Sequence, residues 1–247
     1  MKNKLILSIL FILTTVCYSQ NNINGVITYS VNIGDNPVYQ KSDAFRDMYN
    51  NAIKGAKRIK IKLTFNDSIS KFENENIGIK ENDYLDAIAW ANCSTIYYSN
   101  NSRKEYFFDP SENNSSFFKK GEFVVSDKFQ NDWIISNETK KINDFTCIKA
   151  TRIKKISDKF SRNIIAWFCP QIPISIGPQG YYGLPGLIME LQENNIVFGI
   201  IEIKLNTNPK FEVRKSLRKI DLKTFEDISK LRREKSLTNG EDNLLKK

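Results

Sequence analysis

The chain has 247 residues, with 37 Lys and Arg against 28 Asp and Glu, a formal charge of +9 and an apolar content of 40%. It contains no histidine, which excludes Ser-His-Asp and Cys-His catalysis and removes the commonest metal ligand. Length and composition fit one domain with a sizeable core, and no Pro/Ser-rich linker, internal repeat or low-complexity segment divides the chain.

At the N-terminus, the basic Met1-Lys2-Asn3-Lys4 precedes an apolar run from Leu5 to Val16 that is short for a bilayer span and reads as a signal-peptide core. Cys17-Tyr18-Ser19 presents small residues where a signal peptidase reads, so cleavage is expected before Gln20. Lipid attachment at Cys17 would require a small residue before it, and Val16 stands there. The expected organisation is a signal peptide over residues 1–19, a β-rich domain over 20–205 and a basic tail over 206–247, exported to the periplasm or cell envelope. The tail carries twelve Lys or Arg against seven Asp or Glu, so most of the chain's excess charge sits there. No later stretch has the length and apolarity of a membrane-crossing helix.

GVITYSV, residues 25–31, reads as the first strand. Ser42 offers an N-cap for a helix in which Phe45, Met48, Tyr49, Ala52 and Ile53 recur at helical spacing and Gly55 supplies a stop. In KRIKIKLTF, residues 57–65, Ile59, Ile61, Leu63 and Phe65 alternate with Arg58, Lys60, Lys62 and Thr64, which predicts a strand with one buried and one basic face. Weaker alternation predicts strands near residues 69–72, 94–99, 103–108, 122–126 and 133–137, and short intervals between them imply antiparallel pairing. Asp83 to Asn92 reads as a helix with Tyr84, Leu85, Ile88 and Ala89 on one face. Residues 145–156 and 162–169 read as one hairpin, and residues 187–192 and 196–205 as another, with Asn194-Asn195 suited to its apex.

Between the two hairpins lies GPQGYYGLPGLIMEL, residues 177–191. Trp167, Ile172-Pro173, Gly177-Pro178 and the core Gly183-Leu184-Pro185-Gly186-Leu187-Ile188 resemble the signature of the GLPGLI family of exported proteins of Gram-negative bacteria. The early G-x-x-x-Y strand and the aromatic-rich middle are similar as well. The resemblance implies an exported domain of unknown biochemical role, with no catalytic residues to carry over. Read from the residues themselves, Leu184-Pro185-Gly186-Leu187 has the pattern of a type II turn, with Gly186 at positive φ. Two readings follow. In one, the glycines and prolines turn the chain into the Leu187 strand and the tyrosines pack on the sheet. In the other, Tyr181, Tyr182, Gly183, Leu184, Pro185 and Gly186 bind a ligand or partner, with backbone N–H groups and a tyrosine platform facing it.

Carboxylates are the remaining candidates for acid/base chemistry: Glu190, Glu193 and Glu202 near the signature, and Asp83 and Asp86 in the middle. Their spacing matches no acid/base motif, no calcium loop and no phosphate loop, so no catalytic residue, cofactor or metal is expected. Of the cysteines surviving cleavage, Cys147 and Cys169 lie equidistant from the hairpin centre near Asp158, which places them opposite each other and makes them the disulfide candidate. Cys93, in WANCST, has no neighbour that would lower its pKa and reads as a buried thiol. In the tail, Thr224 and Asp227 resemble a capping box, with Phe225, Ile228 and Leu231 along one helix face and Lys230, Arg232, Arg233 and Lys235 elsewhere. The helix is expected to lie against the sheet and fray from about Thr238.

The expected fold is mainly β (α+β): a curved antiparallel sheet or open half-barrel, with an early helix and a C-terminal helix. The expected function is non-enzymatic binding of a protein partner, peptide or lipid in the envelope. Nucleic acid is not expected, and the basic tail allows peripheral membrane contact. The alternatives are a carboxylate-dependent periplasmic hydrolase and a structural adaptor of an outer-membrane complex.

Overall fold

Residues 23–75, 78–100, 103–113, 117–129, 131–157, 160–210 and 218–244 are described by a computed structural model. The expected leader lies outside the described residues. Six strands come first in the chain: β1 (Gly25–Ile33), β2 (Lys60–Phe65), β3 (Ile69–Asn74), β4 (Tyr97–Asn100), β5 (Glu105–Phe108) and β6 (Val124–Lys128). Six follow: β7 (Ile134–Ile142), β8 (Phe145–Ser157), β9 (Phe160–Cys169), β10 (Leu187–Glu193), β11 (Ile196–Leu205) and β12 (Lys219–Ile220). They form one sheet in the order β12-β6-β5-β4-β3-β2-β1-β11-β10-β9-β8-β7. Every pairing is antiparallel except β12 with β6, and β7 and β12 end the sheet at opposite edges, so it is open and unclosed.

This order is two meanders joined along one seam. β1 to β6 run outward in sequence on one side, β11 back to β7 on the other, and β1 pairs with β11 to unite them. Local chemistry explains most of the short connections. Asn143 (φ 51°) turns β7 into β8, and Asn194 (φ 56°) turns β10 into β11, because asparagine tolerates the left-handed region better than other residues with a Cβ. In β2, Ile61, Leu63 and Phe65 are buried while Lys60 is exposed, as its alternation predicts, but Thr64, expected on the basic face, is buried as well.

Four α-helices are described. α1 (Pro37–Gln40) is a single turn that the sequence reading did not contain; the Asn36 side chain caps it by accepting from Val38 N at 3.0 Å, with Pro37 in its first turn. α2 (Arg46–Ala56) packs against α3 (Asn82–Trp90), burying Tyr49, Ala52 and Ala56 on one side and Tyr84 and Ala87 on the other. The expected Ser42 cap and Gly55 stop are both corrected. Phe45 occupies the N-cap position without a side-chain bond, and Gly55 lies inside α2, where a Cβ would sit 2.8 Å from Tyr84 N. Its bare backbone lets the two helices approach closely. Phe45, Met48, Leu85 and Ala89, expected on buried faces, are exposed.

The last helix, α4 (Leu222–Leu244), follows β12 and covers a small cluster of Phe108, Phe123, Val125 and Ile220 with Phe225 and Ile228. Its start is set by Asp221, whose carboxylate accepts from Thr224 N at 2.7 Å, so the expected Thr224/Asp227 capping box is replaced by an aspartate cap three residues earlier. The helix continues past the expected fraying point at Thr238 to Leu244, and Leu231, expected on the packed face, is exposed. Arg232 anchors α4 to the sheet side by pairing with Glu122 and donating to the Phe117 carbonyl at 2.6 Å.

Candidate functional site

The joined meanders create a topological problem, because the chain must pass from β6 on one side of the sheet to β7 at the opposite edge. The crossover is pinned to the signature stretch. Phe129 stacks on the Tyr182 ring at 4.0 Å between centroids, and Trp133 donates from Nε1 to the Tyr182 carbonyl at 2.7 Å. From the other direction, Gln179 donates to Ala91 O at 2.7 Å, fastening the stretch to the end of α3. Residues 177–188 are therefore the fastening point between the crossover, α3 and the sheet.

Their backbone is folded by small turns in series. Hydrogen bonds from Ile174 N to Ile172 O, Ile176 N to Ile174 O and Gly186 N to Leu184 O each close a three-residue turn, two of them centred on Pro173 and Pro185, whose fixed φ suits that geometry. The expected type II turn at Leu184-Pro185-Gly186-Leu187 is thus corrected to a γ-turn about Pro185. Positive φ falls instead on Gln179 (52°), Gly180 (75°) and Gly183 (95°). Gly186 is needed for a different reason: a Cβ there would lie 2.6 Å from the Cys169 carbonyl carbon and 3.0 Å from Pro170 N. The backbones entering β10 and leaving β9 approach too closely for any side chain.

The residues singled out as a ligand platform are mostly internal. Tyr181, Tyr182, Leu184 and Gly186 are buried, Gly183 is half-buried, and Pro185 alone of the six is exposed. Burial pushes the Tyr182 phenol up to about 12, and the Ser99 and Ser70 hydroxyls, themselves 2.6 Å apart, sit at its oxygen and oppose that rise. The five candidate carboxylates are separately engaged. Glu190 pairs with Lys140 at 2.7 Å, Glu202 with Lys204 at 2.8 Å and Asp83 with Arg58 at 2.5 Å, while Asp86 accepts from Asn51 at 3.1 Å. Glu193, the fifth, is buried. Among the described residues no cluster of three or more His, Cys, Asp or Glu could hold a metal.

Glu193 centres a network that the spacing of acids in the sequence did not signal. Its carboxylate accepts from the Tyr181 hydroxyl at 2.9 Å and from Arg162 at 2.7 Å, with Lys154 at 3.5 Å. Burial pushes its pKa up, but Lys154, Arg162 and Tyr181 together outweigh that and leave it below the usual carboxylate range. Burial, followed by the Glu193 charge, raises the Tyr181 phenol in turn. The Arg152 guanidinium lies over the Tyr181 and Trp133 rings and pairs with Asp132 at 3.2 Å.

Cys93, Cys147 and Cys169 are buried free thiols. β8 and β9 pair Ile148 with Phe168, and one further step along both strands leads to Cys147 and Cys169. Burial, reinforced by the neighbouring Cys169, pushes the Cys147 thiol up to about 11.

One step beyond Glu193 the protein opens. A cavity of about 640 Å³ lies where β1 ends, α1 begins, β9 starts and β10 turns into β11, with Asp35, Tyr39, Phe160, Gln192 and Asn194 among its lining residues. Its walls are bonded to each other. Gly34 N donates to Asn195 O at 2.7 Å, Asn195 Nδ2 donates to Gly34 O at 2.8 Å and to Tyr49 Oη at 2.9 Å, and Tyr49 O–H donates to Gly34 O at 2.5 Å. Tyr39, Tyr49 and Trp90 pack behind as an aromatic group with centroids 4.8 to 5.3 Å apart. The sequence reading assigned Asn194-Asn195 to the hairpin apex and did not see this cavity. The only local signal was the density of amides at that turn and in Gly34-Asp35-Asn36.

The family described as "Protein of unknown function (Porph_ging)" matches residues 159–190, a window that runs from the start of β9 through the signature into β10. No curated protein sequence matches the chain. Among solved structures, the protein is similar to PNGF-II in its C2 crystal form, with a TM-score of 0.52 and 15% identity, covering 83% of this chain and 32% of that one. PNGF-II in its P21 form gives a TM-score of 0.52 and 14% identity, covering 84% and 33%. At such identity the likeness is one of fold. The protein spans about a third of the length of those chains.

Proposed function

We propose that the protein is an exported, non-enzymatic binding module of the cell envelope that holds its ligand in the cavity at the β1, β9 and β10–β11 end of the sheet. The observation that supports this reading is the cavity's prior construction. The Gly34, Tyr49 and Asn195 bonds join its walls to one another within the chain itself, which lowers the ordering cost that binding has to meet. The likeness to GLPGLI proteins and the basic, apolar start of the chain support export. The five carboxylates that the sequence offered are engaged separately and do not converge as an acid and base pair. The exposed Lys230 and Arg233 of α4 offer such a module a basic surface toward anionic membrane.

Binding at the cavity is tested by backbone NMR of the purified protein against peptide, lipid and oligosaccharide probes. Amide shifts confined to residues 34–40 and 192–197 are expected, and a ligand that shifts only the signature residues 179–187 would refute the location. Export makes a separate chemical prediction. The mature chain should begin at Gln20, and in an oxidising compartment Cys147 and Cys169 should join while Cys93 stays reduced. Intact mass and non-reducing peptide mapping of the exported protein give the answer; a mass retaining a lipidated Cys17, or a bridge involving Cys93, would count against it.

A further inference from the structure

We propose that the cavity takes a neutral oligosaccharide, an assignment that rests on the cavity being the binding site. Three properties of its lining lead there. First, it has no strand edge to offer. β1, β9, β10 and β11 are all interior strands, and at its wall Gly34 N–H is bonded to Asn195 O while Gly34 O accepts from the Asn195 side-chain amide. An extended peptide recognised through its main chain has no ladder to join.

Second, its charge is wrong for anions. In a protein of formal charge +9, none of the lining residues is Lys or Arg, and Asp35 supplies a lone carboxylate. The Arg162 guanidinium lies over the Phe160 ring but is paired with Glu193, so a phosphate or an anionic headgroup finds no unpaired countercharge there. Third, its polar groups are amides set beside rings. Asn36 Oδ1 is used by Val38 N, which leaves the Asn36 NH₂ as donor; Gln192 Nε2 donates to Asn194 O at 2.8 Å, which leaves Gln192 Oε1 as acceptor. Asp35 Oδ1 is fixed by Asn36 N and Gln40 Nε2 at 3.0 and 3.3 Å. The rim thus offers both donors and acceptors, matching hydroxyls that each donate and accept. Phe160, 51% exposed, and Tyr39 supply flat apolar surface for the C–H face of a sugar ring. An acyl chain would have to desolvate the same amides without bonding them.

The probes are triacetylchitotriose and cellotetraose as neutral oligosaccharides, tetra-alanine as peptide, and vesicles of phosphatidylcholine with phosphatidylglycerol. Binding is read by calorimetry and by backbone amide shifts on the purified protein. At least one of the two oligosaccharides is expected to bind and to shift residues 34–40 and 192–197. Phe160→Ala should weaken it about ten-fold and Gln192→Ala several-fold, while Lys62→Ala on β2 leaves it unchanged. Phe160 is exposed, so its variant is expected to melt as the parent does. Tetra-alanine or vesicles shifting these amides while neither sugar binds would overturn the sugar assignment and leave the binding reading standing. Sugar binding that Phe160→Ala does not change would overturn the site. Silence of these amides toward all the probes would overturn both.

Discussion

Gly186→Ala should lower the stability of the protein by about 3 kcal/mol or more, against about 1 kcal/mol for Gly183→Ala. The two glycines sit three residues apart in one signature and are required for different reasons. Gly183 has a φ of 95°, a left-handed conformation that alanine adopts only with strain. Gly186 faces backbone: its Cβ would meet the carbonyl group of Cys169 and the nitrogen of Pro170, atoms that cannot rotate away. Relief requires moving the end of β9 from the start of β10, where Leu187 pairs with Cys169. Urea unfolding of the two variants beside the parent separates these causes. Equal losses at the two positions would mean that close approach is not what Gly186 provides.

Removing the Glu193 carboxylate is the second large effect. Glu193→Leu should cost about 3 kcal/mol, because it strips the partner from a buried tyrosine hydroxyl and leaves Arg162 and Lys154 facing each other across a gap. Those two cations are more than a third exposed, and solvent screening keeps the loss from being larger. Glu193→Gln keeps an acceptor for Tyr181 and should cost about half as much. Its pH dependence has a definite sign. The folded pKa of Glu193 lies below its ordinary value, so its contribution is full above the unfolded pKa of about 4.3 and disappears as pH falls through the lower folded value. The stability gap between parent and Glu193→Gln should therefore be constant from neutral pH down to about 5 and shrink below it. A gap that widened on acidification would show that the charge is a burden to the fold.

Gly186 lies in, and Glu193 receives Tyr181 from, a stretch whose sequence pattern admits a turn or a binding site. The glycines and prolines of residues 177–187 announce bends, since few other residues reach those conformations, and bends are what the structure contains. The pattern could not say which glycine needs positive φ and which needs an absent Cβ. That distinction depends on Cys169 and Pro170, brought beside Gly186 by the β9–β10 pairing. Tyr181 and Tyr182 looked equally suited to a surface platform. They are internal because the crossover residues Phe129 and Trp133 lie on Tyr182, and Glu193 receives Tyr181.

Period-two alternation in residues 59–65, the apolar run at residues 196–205 and the asparagine turn at 194 were enough to establish mainly β architecture and antiparallel neighbours, since those features depend on contacts a few residues apart. The amphipathic spacing of residues 45–53 and 225–231 likewise indicated the early and late helices, although not their caps or exposed ends. The β1–β11 seam joins residues roughly 170 positions apart, and neither strand's periodicity names its partner. The Glu193 network and the cavity beside it inherit that long-range choice: the Gly34 loop meets the Asn195 turn because β1 lies beside β11. Local side-chain chemistry decided the elements, and pairing between distant strands decided which of their ends would face one another and leave a space.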